Sequence, residues 1–401
     1  MNISQKEYNV AKQNGRIIHT KINILNFDFQ IVSEISGVVL DGSTYNIDAT
    51  SDIRRTCSIS LVPLDNSFNI EYGGKLWMDK YIQIFIGIED VTNNNEVIYS
   101  NLGLYLINNP SQVYDATNNT ITINGIDLMA KITGIRNGYL EGITYQIEKD
   151  SNIQGAITAL IHNECGFSNY SIDQPLPTTT VPNELSFGLG STAYDILKQL
   201  RDINANYQTY FDQEGIFWFN RIPSGVNEQI MVDDDIWEKT LISYKKSTDF
   251  ESVKNYIEVF GKTQDDGHTP YGLAFENNPQ SPFYVGQEFE NQIRIVLSGG
   301  EYDNIYPLAD YEVSVDEFNS LAQQRANYEL YTRCRLQDQI EINCVPIYWL
   351  DVNWLTNITL PNKQGKEEKQ QYIIKKISTT LGVNGTQNIT MMKYYPFYPA
   401  T

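Results

Sequence analysis

The chain of 401 residues carries 29 Lys and Arg against 49 Asp and Glu, a formal net charge of −20. That balance excludes a protein that grips nucleic acid or an anionic membrane through a basic surface. No apolar run approaches the ~20 residues of a membrane span, the N-terminal MNISQKEYNVAKQNGR lacks the apolar core of a signal peptide, and four Cys do not make a disulfide scaffold.

At ~150 residues per domain the length suits two to four domains. A hydrophobic content of 41% rules out a disordered acidic chain. The 27 Tyr, 16 Phe and 5 Trp, with few Leu/Ala/Lys/Glu blocks, suit a β-rich protein.

Residues 1–15 are polar and aperiodic and read as a flexible arm. From Ile53 to Leu61 odd positions are Ile, Arg, Cys, Ile and Leu and even ones are Arg, Thr, Ser and Ser, the pattern of a half-buried strand that ends at Pro63. Ile82, Ile84, Ile86 and Ile88 share one face of a second strand, which turns through Asp90–Asn95 into a return strand at Glu96–Ile107. A further strand is expected at Thr120–Ile126. Short strands at this spacing, separated by Gly, Asn and Pro turns, suggest a sandwich or barrel.

The pattern changes near residue 150. Ile153, Ile157, Leu160 and Ile161 follow helical spacing, and Thr192 with Asp195 forms the start signal of a second helix that buries Ala193, Ile196, Leu197 and Leu200. A hairpin at 207–211 and 216–219 completes a small α/β unit over 140–235. Strands resume at 241–244 and 253–261. The polar stretch 262–286 reads as an exposed excursion, with a strand at 292–297 after it. Ser314 and Glu317 open a helix that runs to about Tyr331. Strands are expected at 333–345, 354–360, 371–380 and 387–394, before the aromatic tail Tyr395-Pro396-Phe397-Tyr398-Pro399.

Two stretches are weakly alike. Trp77-Met78-Asp79, Tyr105-Leu106-Ile107 and Thr120-Ile121-Thr122-Ile123 recur in order as Trp349-Leu350-Asp351, Tyr372-Ile373-Ile374 and Asn388-Ile389-Thr390-Met391. Either hairpins of common composition coincide here, or one β domain occurs near each end.

Catalytic signatures are wanting. His19, His162 and His268 have no zinc-ligand spacing, and there is no HExxH, CxxC, GxSxG, P-loop or GxGxxG. No catalytic residue, cofactor or metal is therefore assigned. Cys334 and Cys344 on one straight strand would lie ~33 Å apart at ~3.3 Å per residue, beyond disulfide reach. Asp233-Asp234-Asp235 and Asp265-Asp266 read as acidic turns, the first without EF-hand spacing.

The stretches Ile53-Arg54-Arg55-Thr56-Cys57-Ser58-Ile59-Ser60-Leu61, Gly73-Gly74-Lys75-Leu76-Trp77-Met78-Asp79-Lys80-Tyr81 and Asn124-Gly125-Ile126-Asp127-Leu128-Met129-Ala130-Lys131-Ile132-Thr133-Gly134 resemble a family of phage tail proteins of Gram-positive hosts, similar to the central baseplate hub of contractile tails. The resemblance is strongest over 33–262, and its motifs are structural. It implies a mainly β fold with α+β insertions: two tail-tube-like β-barrel domains, at 16–139 and at 236–262 with 333–401, plus the small α/β domain at 140–235 and an inserted segment at 263–332 with one helix.

The resemblance further implies a structural, non-enzymatic homotrimer in the virion tail baseplate, assembled in the host cytoplasm. Its two barrels per chain would form a pseudo-sixfold ring between the tail tube, or a tube-initiator protein, and the central spike, with wedge or tape-measure proteins as further partners. No specific nucleic-acid binding and no membrane insertion are expected. Cell-wall hydrolysis would then belong to a separate protein. The alternatives are a tail-tip cell-wall hydrolase and the tail-tip hub of a non-contractile phage. On the hub reading the acidic excess would line the lumen past which DNA moves; solubility alone also accounts for it. The candidate interface residues are Arg54 and Arg55, one of which should point away from the core, and Tyr394, Tyr395, Phe397 and Tyr398 of the tail.

Overall fold

The alternation at 53–61 becomes a strand whose odd positions from Arg55 to Leu61 are buried and whose even positions are half-buried. The computed structural model describes residues 3–36, 42–62, 68, 70–115, 119–140, 142, 144–335, 337–363, 365–366, 368–382 and 384–396. In its first part, helix α1 (Gln5–Val10) precedes strands β1 (Ile18–Leu25), β2 (Ile31–Ser36), β3 (Thr44–Asp48), β4 (Arg55–Leu61), β5 (Tyr81–Asp90), β6 (Glu96–Tyr114) and β7 (Asn119–Ile126).

Residues 4–11 correct the expectation of a flexible arm. Ser4 and Glu7 form a reciprocal capping box on α1. Val10 and Ala11 at its end are buried in the main core, and the Tyr8 ring stacks 5.6 Å from Trp349.

The α/β unit follows as β8 (Tyr145–Ile147), α2 (Ile153–Ala159), β9 (Tyr170–Ile172), β10 (Leu185–Phe187), α3 (Ala193–Asp202), β11 (Tyr207–Phe211) and β12 (Phe217–Arg221). Thr192 caps α3 with Asp195 as its sequence signals. Ile153, Ile157, Ile196, Leu197 and Leu200 form the core of this unit, and that core also takes Leu104 and Leu106 from β6 and Leu128 from the short 3-10 turn after β7, so the unit sits on the first half of the molecule.

The second half holds β13 (Ile230–Val232), α4 (Asp234–Thr240) and β14 (Leu241–Asp249). It resumes, after an insertion, with β18 (Gln337–Cys344), β19 (Leu355–Ile358), the small hairpin β20 (Pro361–Asn362) and β21 (Gly365–Lys366), β22 (Gln370–Thr380) and β23 (Gln387–Lys393). The insertion is β15 (Tyr256–Phe260), β16 (Tyr271–Phe275), β17 (Arg294–Leu297) and α5 (Val315–Arg333).

Residues 253–261 and 262–286 therefore differ from expectation. β15 lies outside the large sheet and pairs with β16 and β17, because α5 covers Ile257, Val259 and Ala274 with Leu321, Ala322 and Ala326. The supposed polar excursion contains β16, and Gly272 is needed there: a Cβ on it would stand 2.2 Å from the Ala322 carbonyl oxygen of α5.

Apart from the β20–β21 hairpin, the remaining described strands of both halves form one 13-stranded sheet in the order β14-β18-β23-β22-β3-β4-β7-β6-β5-β1-β2, with β19 also on β22 and β13 on β19. The fold is mainly β, with α+β units attached. No closed barrel forms among the described residues. Instead the halves join through the antiparallel pairing of β22 with β3 and share one core, which runs from Ile22, Ile59 and Ile84 to Ile342, Ile374 and Ile389.

Within each half the strand order repeats. In the first, β5 neighbours β6, then β7, β4 and β3; in the second, β19 neighbours β22, then β23, β18 and β14. All of these pairings are antiparallel. The weak sequence repeat thus falls on strands that match in chain order and in sheet order.

Candidate functional site

Three units meet at a buried polar junction built around the first residues of β4. The Arg55 guanidinium forms a buried ion pair with Asp351 at 2.5 Å, tying the first half to the loop that leads into β19. The Arg55 backbone N–H donates to Asp127 at 2.8 Å, and the other Asp127 oxygen accepts from the Met129 N–H at 2.9 Å. Arg54 lies 3.7 Å over the Tyr210 ring and donates to Gln208, both on β11. Gln208 also accepts from Asn353 at 2.6 Å, and Asn353 accepts from the Lys375 ammonium at 2.8 Å. β4, β11 and β22 are thereby linked through side chains alone.

Burial sets the electrostatics of the junction. It pushes the Asp127 carboxyl up to about 6, against the pull of two backbone N–H groups and both guanidinium groups. It lowers Lys375 to about 8, with the Arg54 and Arg335 cations acting in the same direction. Burial lowers Arg54 as well. For Arg55 burial acts the same way, but Asp351, Tyr105 and Asp127 outweigh it and hold the proton more firmly. Such a cluster fixes how units sit on each other; a buried pair with good geometry is costly to break from one side.

The seam between the halves is the second feature. Five residue pairs, from Lys376↔Asp48 to Thr380↔Thr44, join β22 to β3. On its core face Tyr45 and Ile47 meet Ile377 and Thr379, all 2% exposed or less. On the opposite face Lys376 pairs with Asp48 at 2.9 Å and Ser378 donates to Asn46 at 2.7 Å.

These positions correct the expectation for Arg54 and Arg55. Neither points outward: β4 lies between β3 and β7, and the α/β unit closes over the remaining face, so both are buried within the chain. Tyr394 is buried too, with its hydroxyl donating to the Gly225 carbonyl at 2.5 Å. Tyr395 is part-exposed and lies beneath the Arg335 and Lys393 cations. Phe397 and Tyr398 lie outside the described residues.

The Asp233–Asp235 run is a helix start rather than a bare turn. Asp233 caps α4, Asp234 accepts from the Thr359 N–H at 2.6 Å, and Asp235 holds Tyr8 and Lys12 of the N-terminal segment. All four Cys are free thiols. His19 pairs with Glu89 at 2.7 Å, and His268 stacks 3.8 Å from Tyr311. Among the described residues no three His, Cys, Asp or Glu gather as metal ligands. Asp127, Gln208, Asp351, Asn353 and Lys375 were missed as junction residues. Gly125-Ile126-Asp127-Leu128 and Trp349-Leu350-Asp351-Val352 each set a lone carboxylate in an apolar run, the one local signal of burial.

The fold is that of phage tail proteins. The chain superposes on the tail protein from Neisseria meningitidis MC58 with a TM-score of 0.57 at 7% identity, covering 94% of this chain and 96% of that one. It superposes on the 43 kDa tail protein of prophage MuSo2 from Shewanella oneidensis with a TM-score of 0.58 at 9% identity, covering 93% and 98%. For the prophage tail protein gp18 from Listeria monocytogenes EGD-e the TM-score is 0.53 at 12% identity, covering 93% and 94%. The tail-protein resemblance read from the sequence is thus met at the level of fold. Residues 280–398 match the family model of a domain of unknown function, DUF5048. A sequence comparison with curated proteins finds no significant match.

Proposed function

We propose that the chain is a structural baseplate hub protein of a contractile phage tail or a phage-tail-like bacteriocin, acting as a homotrimer that joins the tail tube to the central spike. The observation that carries this reading is the repeated strand order of the two halves, fused through the β3–β22 seam into one sheet. Three copies of a two-fold repeat present six equivalent sheet segments, which is what a ring must offer to match a sixfold tube above and a threefold spike below. The polar junction and shared core suit a load-bearing part whose units keep their mutual positions, and the role is mechanical. Tube or tube-initiator protein, spike, and wedge or tape-measure proteins are the partners on this reading.

Mass photometry of the purified full-length protein tests it, with a particle three times the chain mass expected. A stable monomer that touches neither tube nor spike in an isolated tail particle overturns it. A cryo-EM map of that particle also tests the charge of −20: acidic side chains should be enriched on the inner wall. An even distribution would leave solubility as its sufficient cause.

A further inference from the structure

The repeated strand order matches edge to edge, and among the described residues the two edges that correspond to the β3–β22 seam, the end of β6 and the outer side of β14, are both open. β6 and β22 each carry a bulge, between Asn108 and Ser111 and between Ile374 and Lys376. Superposing the bulges matches Ser111, which faces Thr122, with Lys376, which faces Thr390. Gln112, Val113 and Tyr114 then match Ile377, Ser378 and Thr379. On the partner side, Thr122 faces Ser60 and Thr390 faces Glu341, and stepping outward through β4 and β18 matches Thr44 with Ser247. Tyr45, Asn46 and Ile47 then match Thr248, Asp249 and Phe250.

In the second half the strand end after the bulge is covered by β3. In the first half no strand covers the matching end of β6 among the described residues, and β14, the counterpart of β3, pairs with β18 alone. The side chains differ accordingly. Phe250 is 72% exposed where its counterpart Ile47 is 2% exposed, and Tyr114 is 79% exposed where Thr379 is fully buried. Val113 is exposed as well. Large apolar side chains at the end of an unpaired edge mark a surface completed by another chain.

We infer that the outer edge of β14 in one copy pairs antiparallel with the β6 end of the next copy, repeating between chains the seam that β3 and β22 make within the chain. The occupant is a second copy, because the β3–β22 seam already shows what each of these two edges takes as a partner. Transferring its register places Tyr114 opposite Thr248 and Gln112 opposite Phe250. The contact is head-to-tail and joins unlike edges, so it propagates until it closes into a ring. The inference rests on the hub reading for its closure at three copies. β2, at the other end of the sheet, is the competing edge: among the described residues it pairs with β1 alone, and it exposes Ile31 and Val32.

Paired cysteines in the full-length chain test this. Oxidation of the Tyr114→Cys, Thr248→Cys variant should give covalent dimers and closed trimers, and each single variant only monomers on denaturing gels. A Val32→Cys, Thr248→Cys variant should not cross-link. A second variant, Val113→Asp with Phe250→Asp, should weaken trimer assembly about tenfold or more by placing carboxylates in the seam, while its far-UV circular dichroism stays that of the parent. A trimer by mass photometry that cross-links through residue 32, or through neither pair, overturns the seam and leaves the hub reading standing. A protein that remains monomeric overturns both.

Discussion

The two halves share a strand order but differ in what lies beyond it. β3 and β4 are joined by a short connection, whereas their counterparts β14 and β18 are separated by the whole unit of β15, β16, β17 and α5. Both pairs are still antiparallel neighbours. An insertion of that size is tolerated because the unit brings its own core and leaves the strand ends close. The outer neighbour differs too: β5 takes the long antiparallel β1, and β19 the short parallel β13. The part that repeats is therefore the five-strand segment that bears the seam, while its surroundings diverge.

The largest expected effect tests whether the halves are one cooperative body. Asp351→Ala leaves Arg55 buried without its carboxylate and should cost about 3–5 kcal/mol by denaturant unfolding. A paired Arg55→Met, Asp351→Leu change should recover most of that loss, since removing both charges removes the desolvation cost with the bond. An Asp351→Ala protein with wild-type stability would mean that the halves do not depend on this ion pair.

The next effect contrasts the covered and open ends of matching strands. Ile377→Ala deletes a fully buried side chain at the seam and should cost about 2–5 kcal/mol. Gln112→Ala, at the matching exposed position of β6, should change the stability of the isolated chain by less than about 0.5 kcal/mol. Equal losses would break the contrast.

How much of this was legible follows from which forces are local. The strands at 55–61, 81–90 and 387–393 and the capping box of α3 rest on alternation and on residues three apart, and the sequence displays both. The repeat was visible because Thr120–Ile123 and Asn388–Met391 fill equivalent places. Its Tyr105–Ile107 and Tyr372–Ile374 segments stand two residues out of step with the ladders, because superposing the bulges brings Ile107 onto Tyr372. The burial of Arg54 and Arg55 was hidden. Alternation assigns a strand two faces but does not say that the α/β unit covers the second, and Asp351 and Gln208 are far away in sequence. The docking of α1 on Trp349 and Asp235 was hidden for the same reason.

The smallest effect separates the two bulges. Lys375 occupies the bulge of β22 where β6 has Pro110, a residue that suits a bulge because it has no N–H to offer a ladder. Burial and the Arg54 and Arg335 cations hold Lys375 at about 8 in the folded chain, below its ordinary value of 10.5. Between those two values the unfolded chain holds the proton and the folded chain has lost it, so stability rises with pH across this window. Below pH 8 the folded chain carries the ammonium at its full cost. Lys375→Met removes the titration, and urea midpoints measured from pH 7 to 10 should lose that rise. At pH 7 the change in stability is the gain from removing the cation less about 1 kcal/mol for the hydrogen bond to Asn353. Pro110→Ala, at a position with nothing to titrate, should shift the midpoints equally at every pH. Parallel curves for wild type and Lys375→Met would put the ammonium in water and make the two bulges electrostatically alike.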